Sequence, residues 1–128
     1  MTVRRIFSGA EWEKKVGYCR AVASGRHVFV GGTAPVAPGG GTFAPGDAAA
    51  QTRRCFEIIE AALHELGASL ESVTRTRMFV TDISRWAEYG AVHSELFGAH
   101  PPATTMVEVR QLIDPDMLIE IEADAILP

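Results

Sequence analysis

The sequence predicts an α+β fold: one two-layer sandwich, with two helices on one face of a sheet and the order β-β-β-α-β-α-β-β. Three observations predict it. Two segments each carry a single apolar stripe at helical period, so each must lie on something. Six short segments with strand chemistry surround them. The 128 residues hold no stretch that reads as a linker between domains, so 1–128 is one domain.

The segment Thr2–Ser8 is a candidate first strand. Cys19–Ser24 and His27–Gly31 follow as a hairpin, with Gly25-Arg26 as the tight turn. The only Gly/Pro-rich stretch, Gly31 to Gly46, reads as a surface loop. Asp47 is a good N-cap for the first helix. Cys55, Ile58, Ile59, Ala62, Leu63 and Leu66 form its stripe, and Gly67 stops it. Ser72–Thr81 is a strand. Ser84 caps a second helix with the stripe Trp86, Tyr89, His93, Leu96 and Phe97, closed by Gly98 and Pro101-Pro102. Thr104–Val109 is the fifth strand. Met117–Ile126 is the last, with Ile119, Ile121, Ala123 and Ala125 on one face and Glu120, Glu122 and Asp124 on the other. With both helices on one side, the other sheet face is bare. Its Thr and charged side chains suggest burial against another subunit.

Composition narrows the function. Hydrophobic residues make up 47% and charged residues 22%, as in a soluble globular chain. No run reaches the roughly 18–20 apolar residues of a membrane span, and Met1–Arg5 leads into no apolar signal region. The formal net charge is −4 with no basic patch, which argues against a nucleic-acid partner. Cys19 and Cys55 lack C-x-x-C spacing and read as reduced thiols of a cytoplasmic protein. His27, His64, His93 and His100 show no metal-ligand spacing, so neither metal nor cofactor is expected. There is no nucleophile elbow, P-loop or dinucleotide fingerprint. Among the strand carboxylates, Glu122 and Asp124 are natural ion-pair partners for Arg75 and Arg77. Glu120, at the strand's start beside a loop, is better placed for acid–base work.

Ordered segments then carry a resemblance. They are Gly17-Tyr18, Val28-Phe29-Val30-Gly31-Gly32 before Pro35, Gln51-Thr52-Arg53, and Leu66 through Val73. Met78-Phe79-Val80-Thr81-Asp82, Leu96-Phe97-Gly98, Pro101-Pro102-Ala103, Val107-Glu108-Val109 and Ile119 through Ala123 continue the series. Together the chain resembles the RidA/YjgF family of imine and enamine deaminases, also labelled endoribonucleases. The resemblance implies a chorismate-mutase-like fold and a homotrimer with small-metabolite sites in clefts between subunits. It implies that Tyr18 positions the ligand and that Glu120 helps position the attacking water, so these two are the catalytic candidates. Family members grip the substrate carboxylate with an arginine after Pro-Ala, where this chain has Thr104-Thr105. Gly31 stands where a serine is frequent, and Gly90 near a frequent asparagine. Gly31, Gly32, Thr104, Thr105, Trp12 and Arg77 are therefore the substrate-binding candidates. Backbone N–H groups near Gly31-Gly32 would bind a ligand oxygen, Trp12 would stack on a larger or flatter ligand, and Arg20 or Arg77 would replace the absent arginine. Two functions follow: a divergent deaminase-type hydrolase of a small imine or enamine, or a trimer that binds a metabolite without turning it over.

Overall fold

The computed structural model describes residues 2–128; Met1, at the charged start, lies outside them. Alternation along the last strand, β6 (Ile119–Ile126), sets the architecture: its isoleucines and alanines at 119, 121, 123 and 125 are buried, and the acidic residues between them are half-buried on the opposite face. The other strands are β1 (Val3–Ile6), β2 (Ala21–Ser24), β3 (His27–Thr33), β4 (Val73–Val80) and β5 (Ala103–Glu108). The helices are α1 (Glu11–Val16), α2 (Ala48–Glu65) and α3 (Trp86–Phe97).

The six strands form one mixed sheet in the order β1-β2-β3-β6-β4-β5. Only β4 and β5 pair in parallel, joined by α3 as a parallel pair requires. Strand β6 runs antiparallel to both β3 and β4 and is inserted between them. Helices α2 and α3 pack on one face and against each other. Phe56 and Phe97 meet edge to face there, with centroids 5.2 Å apart. Ile59, Leu63, Val28, Val80, Ile119 and Ile121 complete the core. The expected strands and two long helices are all present.

Three local expectations are corrected. Helix α1 has no counterpart in the expected order. Its six residues are too few to show a period, and it is held instead by its ends, with Glu11 and Glu13 in the first turn, Lys14 and Lys15 in the last, and Gly17 at φ +85° closing it. The turn ahead of α3 is capped by Asp82, whose carboxylate accepts from the Ser84 N–H and hydroxyl; Ser84 is the donor, not the cap. Trp86 does not join the buried stripe. It takes the helix's first position, one step after an exposed 3-10 turn, and is 63% exposed. Val92 is buried in line with Tyr89 and Phe97.

Helices α2 and α3 leave the second sheet face uncovered among the described residues. It carries a ladder in which Arg77 lies 3.3 Å from both Glu122 and Asp124, and Arg75 lies 3.8 Å from Asp124. The exposed Phe29 ring lies on the same face.

Candidate functional site

Glu120 sits one residue into β6, just ahead of the place where β3 and β6 lose register. The pairing of β3 with β6 slips between Val30 and Thr33, and the two residues in the irregularity are Gly31 and Gly32. Bulges of this kind re-aim side chains. A Cβ on Gly32 would stand 2.9 Å from Glu120 Oε2, so the absence of a side chain there lets the carboxyl lie against the β3 backbone. Glu120 is half-buried. Burial pushes its pKa above the usual carboxylate range, the charge of Glu122 adds to the rise, and the field of Arg20 opposes it.

The carboxyl lines a cavity of about 280 Å³. Trp12 and Val16 of α1, Tyr18, Val36, Ile58 of α2, Ile113 and Met117 make its largely apolar walls, and Gly32 and Arg20 complete the polar end. The Tyr18 hydroxyl makes no hydrogen bond among the described residues, so it is free for a ligand, while the residue's own N–H bonds the Glu13 carbonyl at 3.0 Å. Lys15 Nζ stands 5.3 Å from the centre of the Trp12 ring. The Arg20 guanidinium is fixed by donation from Nη2 to the Gly32 carbonyl at 2.5 Å.

Of the residues singled out from sequence, this cavity unites Glu120, Tyr18, Gly32 and Trp12. Gly31 borders it through Arg20, because its N–H donates to the Arg20 carbonyl at 2.9 Å. That amide is committed to the sheet.

Thr104, Thr105 and Arg77 stand apart in the chain. Strand parity turns Thr104 toward α3, where its hydroxyl bonds the Thr76 hydroxyl and lies 3.1 Å from His93 Nε2; Thr76 itself lies 2.8 Å from that nitrogen. Burial alone depresses the His93 pKa, so the ring is neutral near pH 7. Thr104, His93, Gly90 and Met106 line a second cavity of about 340 Å³ between α3 and β5. Thr105 pairs in register with Arg77, which is held in the ladder.

The wall residues Ile58, Val36, Ile113 and Met117 were not expected. Ile58 belongs to the apolar stripe of α2, which is wider than the core beneath it, so the excess width was the available signal. Val36 and Ile113 come from loops with no periodic pattern, and Met117, expected as the first residue of the last strand, lies just ahead of β6. Among the described residues no group of three His, Cys, Asp or Glu is placed to hold a metal ion. Both cysteines are free thiols. No described helix is long and apolar enough to cross a membrane.

Comparison with known proteins agrees with the fold. The endoribonuclease L-PSP family matches residues 9–127. A RutC family protein of Pyrococcus abyssi is 41% identical over 113 residues, 88% of each chain. The 3-aminoacrylate deaminase RutC of Acinetobacter baylyi is 39% identical over 111 residues, 84% of this chain and 85% of its own. The crystal structure of a Mycobacterium tuberculosis member of the YjgF/YER057c/UK114 family superposes with a TM-score of 0.90 at 48% identity, covering 98% of this chain and all of that one.

Proposed function

Because the chain belongs to the RidA/YjgF family of endoribonuclease L-PSP proteins, we propose that it hydrolyses a small imine or enamine in the Glu120 cavity. One observation carries the reading: a half-buried carboxyl that holds its proton above the usual range shares a cavity with an unpaired tyrosine hydroxyl. The name of the Acinetobacter relative supplies the reaction class.

The chemistry needs only water. The protonated Glu120 gives its proton to the imine nitrogen, and Tyr18 hydrogen-bonds the substrate. The carboxylate so formed takes a proton from the attacking water as its oxygen bonds to the carbon. The resulting aminoalcohol expels ammonia and leaves a carbonyl compound, so atoms and charge balance. Thr104 replaces the arginine expected to grip a substrate carboxylate, making the chain a divergent member. In this reading the site is completed across a homotrimer interface. The half-site of Thr104 and Gly90 on one subunit then faces the Glu120 cavity of the next, and Thr105 and Arg77 lie on the joined sheet face. Ribonuclease action fits poorly: phosphate affinity depends on clustered Lys and Arg, and this cavity has one arginine in a chain of net charge −4.

The test follows the decay of an imine generated in situ by an amino-acid oxidase. Wild type should accelerate decay and Glu120→Gln should bring it back to the rate without protein. A second reading, metabolite binding without turnover, is favoured by the Thr104 hydroxyl being tied to Thr76 and His93. Ligand binding by calorimetry with no effect of wild type on imine decay would select it.

A further inference from the structure

Arg20 is the arginine that lines the Glu120 cavity. Among the described residues no carboxylate lies within 4.0 Å of it, whereas Arg77 and Arg75 are held in the ladder. A guanidinium carries five N–H donors. One of Arg20's is bound to the Gly32 carbonyl, which fixes the plane of the group, and its Nε is buried without a partner. A buried unmatched donor is costly, and a cation left unpaired beside a cavity asks for an anion.

The glycine pair explains how both groups fit. A Cβ on Gly31 would stand 3.0 Å from Arg20 Nη2, and one on Gly32 would stand 2.9 Å from Glu120 Oε2. One glycine makes room for the guanidinium and the next for the carboxyl. The chain thus carries an arginine at 20, a glycine at 31 that admits it, and a threonine at 104. Arg77, the other candidate, is held by Glu122 and Asp124. The remaining walls are apolar and open, with Trp12 44% and Ile113 70% exposed.

We infer that Arg20 is the anion-recognition residue of the Glu120 cavity, and that the cavity takes a monoanion with a flat apolar body. The inference rests on the reading of this cavity as the ligand site. The anionic end meets the guanidinium through charge-assisted hydrogen bonds. The flat body lies along Trp12, whose ring face accepts stacking. Burial disfavours the charge on Glu120, which lessens its repulsion of the anion.

Calorimetric titration of the full chain with benzoate and with its neutral counterpart benzamide tests this. Wild type should bind benzoate about tenfold or more tighter, the factor expected of one charge-assisted hydrogen bond. Arg20→Gln should bring the two affinities within about twofold, and Arg20→Lys should keep part of the preference. If Arg20→Gln does not fold, nitrogen-15 NMR of wild type replaces it: the Arg20 Nε–H resonance should move with benzoate and stay with benzamide. Equal binding of the two probes, binding of neither, or a preference that survives Arg20→Gln would overturn the inference. Imine decay is scored separately. Anion preference without turnover sinks the hydrolase reading alone, and turnover without anion preference sinks this one alone.

Discussion

At the scale of single residues, Glu120 shows how a functional group opposes the fold that holds it. Its pKa is raised by burial above the ordinary 4.5. A carboxyl with a raised folded value contributes stability that is complete below the unfolded pKa and is lost as pH rises through the folded one. Ionised Glu120 therefore costs the protein stability near neutral pH, and glutamine removes that cost while keeping the shape. Glu120→Gln is expected to melt at the same or a higher temperature than wild type at pH 7, with the difference closing below about pH 4.5. Thermal melts across pH measure it; a variant melting several degrees lower at pH 7 would mean that the charge holds the fold. Glu120 and Tyr18 were legible as candidates because their segments match a family pattern. The bearing of Arg20 was not, because it depends on an irregularity in β3 that two glycines permit but do not announce. The orientation of Thr104 depends on strand parity relative to Thr76, and the two are 28 positions apart in the chain.

Among the elements, α1 has the largest effect on the site and left the least trace in the sequence. It brings Trp12 and Val16 to the cavity, and Glu13 anchors it. Burial opposes charge on Glu13, yet the Ser8 hydroxyl, the Ser8 and Gly9 N–H groups and the field of Arg20 together hold its pKa below the usual range. A depressed carboxyl contributes stability above its unfolded pKa, and that contribution fades as pH falls through the folded value. Glu13→Gln should lower stability at pH 7 by about 2 kcal/mol, the scale of a lost charged hydrogen bond, and flatten the acid limb of the melting profile. An unchanged melting temperature would show that the loop holds α1 without it. The long helix α2 is the opposite case: the Asp47 side chain accepts from the Ala50 N–H at 3.0 Å, and its stripe ends before Gly67. Eighteen residues are enough to reveal a period, and six are not.

For the whole molecule, the uncovered sheet face was legible as soon as two helices were assigned to one side. Which residues fill it was partly legible too, since the ladder of Arg75, Arg77, Glu122 and Asp124 follows from alternation in two strands. Half-exposed pairs of this kind contribute only about 0–1 kcal/mol each. The exposed Phe29 is the stronger motive for burial against another copy. Static light scattering at micromolar concentration should return three times the 13.8 kDa chain mass, and a single-chain mass would sink the trimer. The place of β6 carries a different consequence, one of time. The last strand of the chain is the central one, pairing His27 with Ile126 and Val73 with Ala125. During synthesis β1, β2 and β3 can form a meander, and β4 can meet β5, but the two halves have no common strand until β6 emerges. Closing such distant pairs is slow, and until it happens β3 and β4 both present unpaired edges. Removing β6 would leave two sticky half-sheets rather than a slightly smaller sheet, so this strand acts as the bolt that commits the chain to its fold.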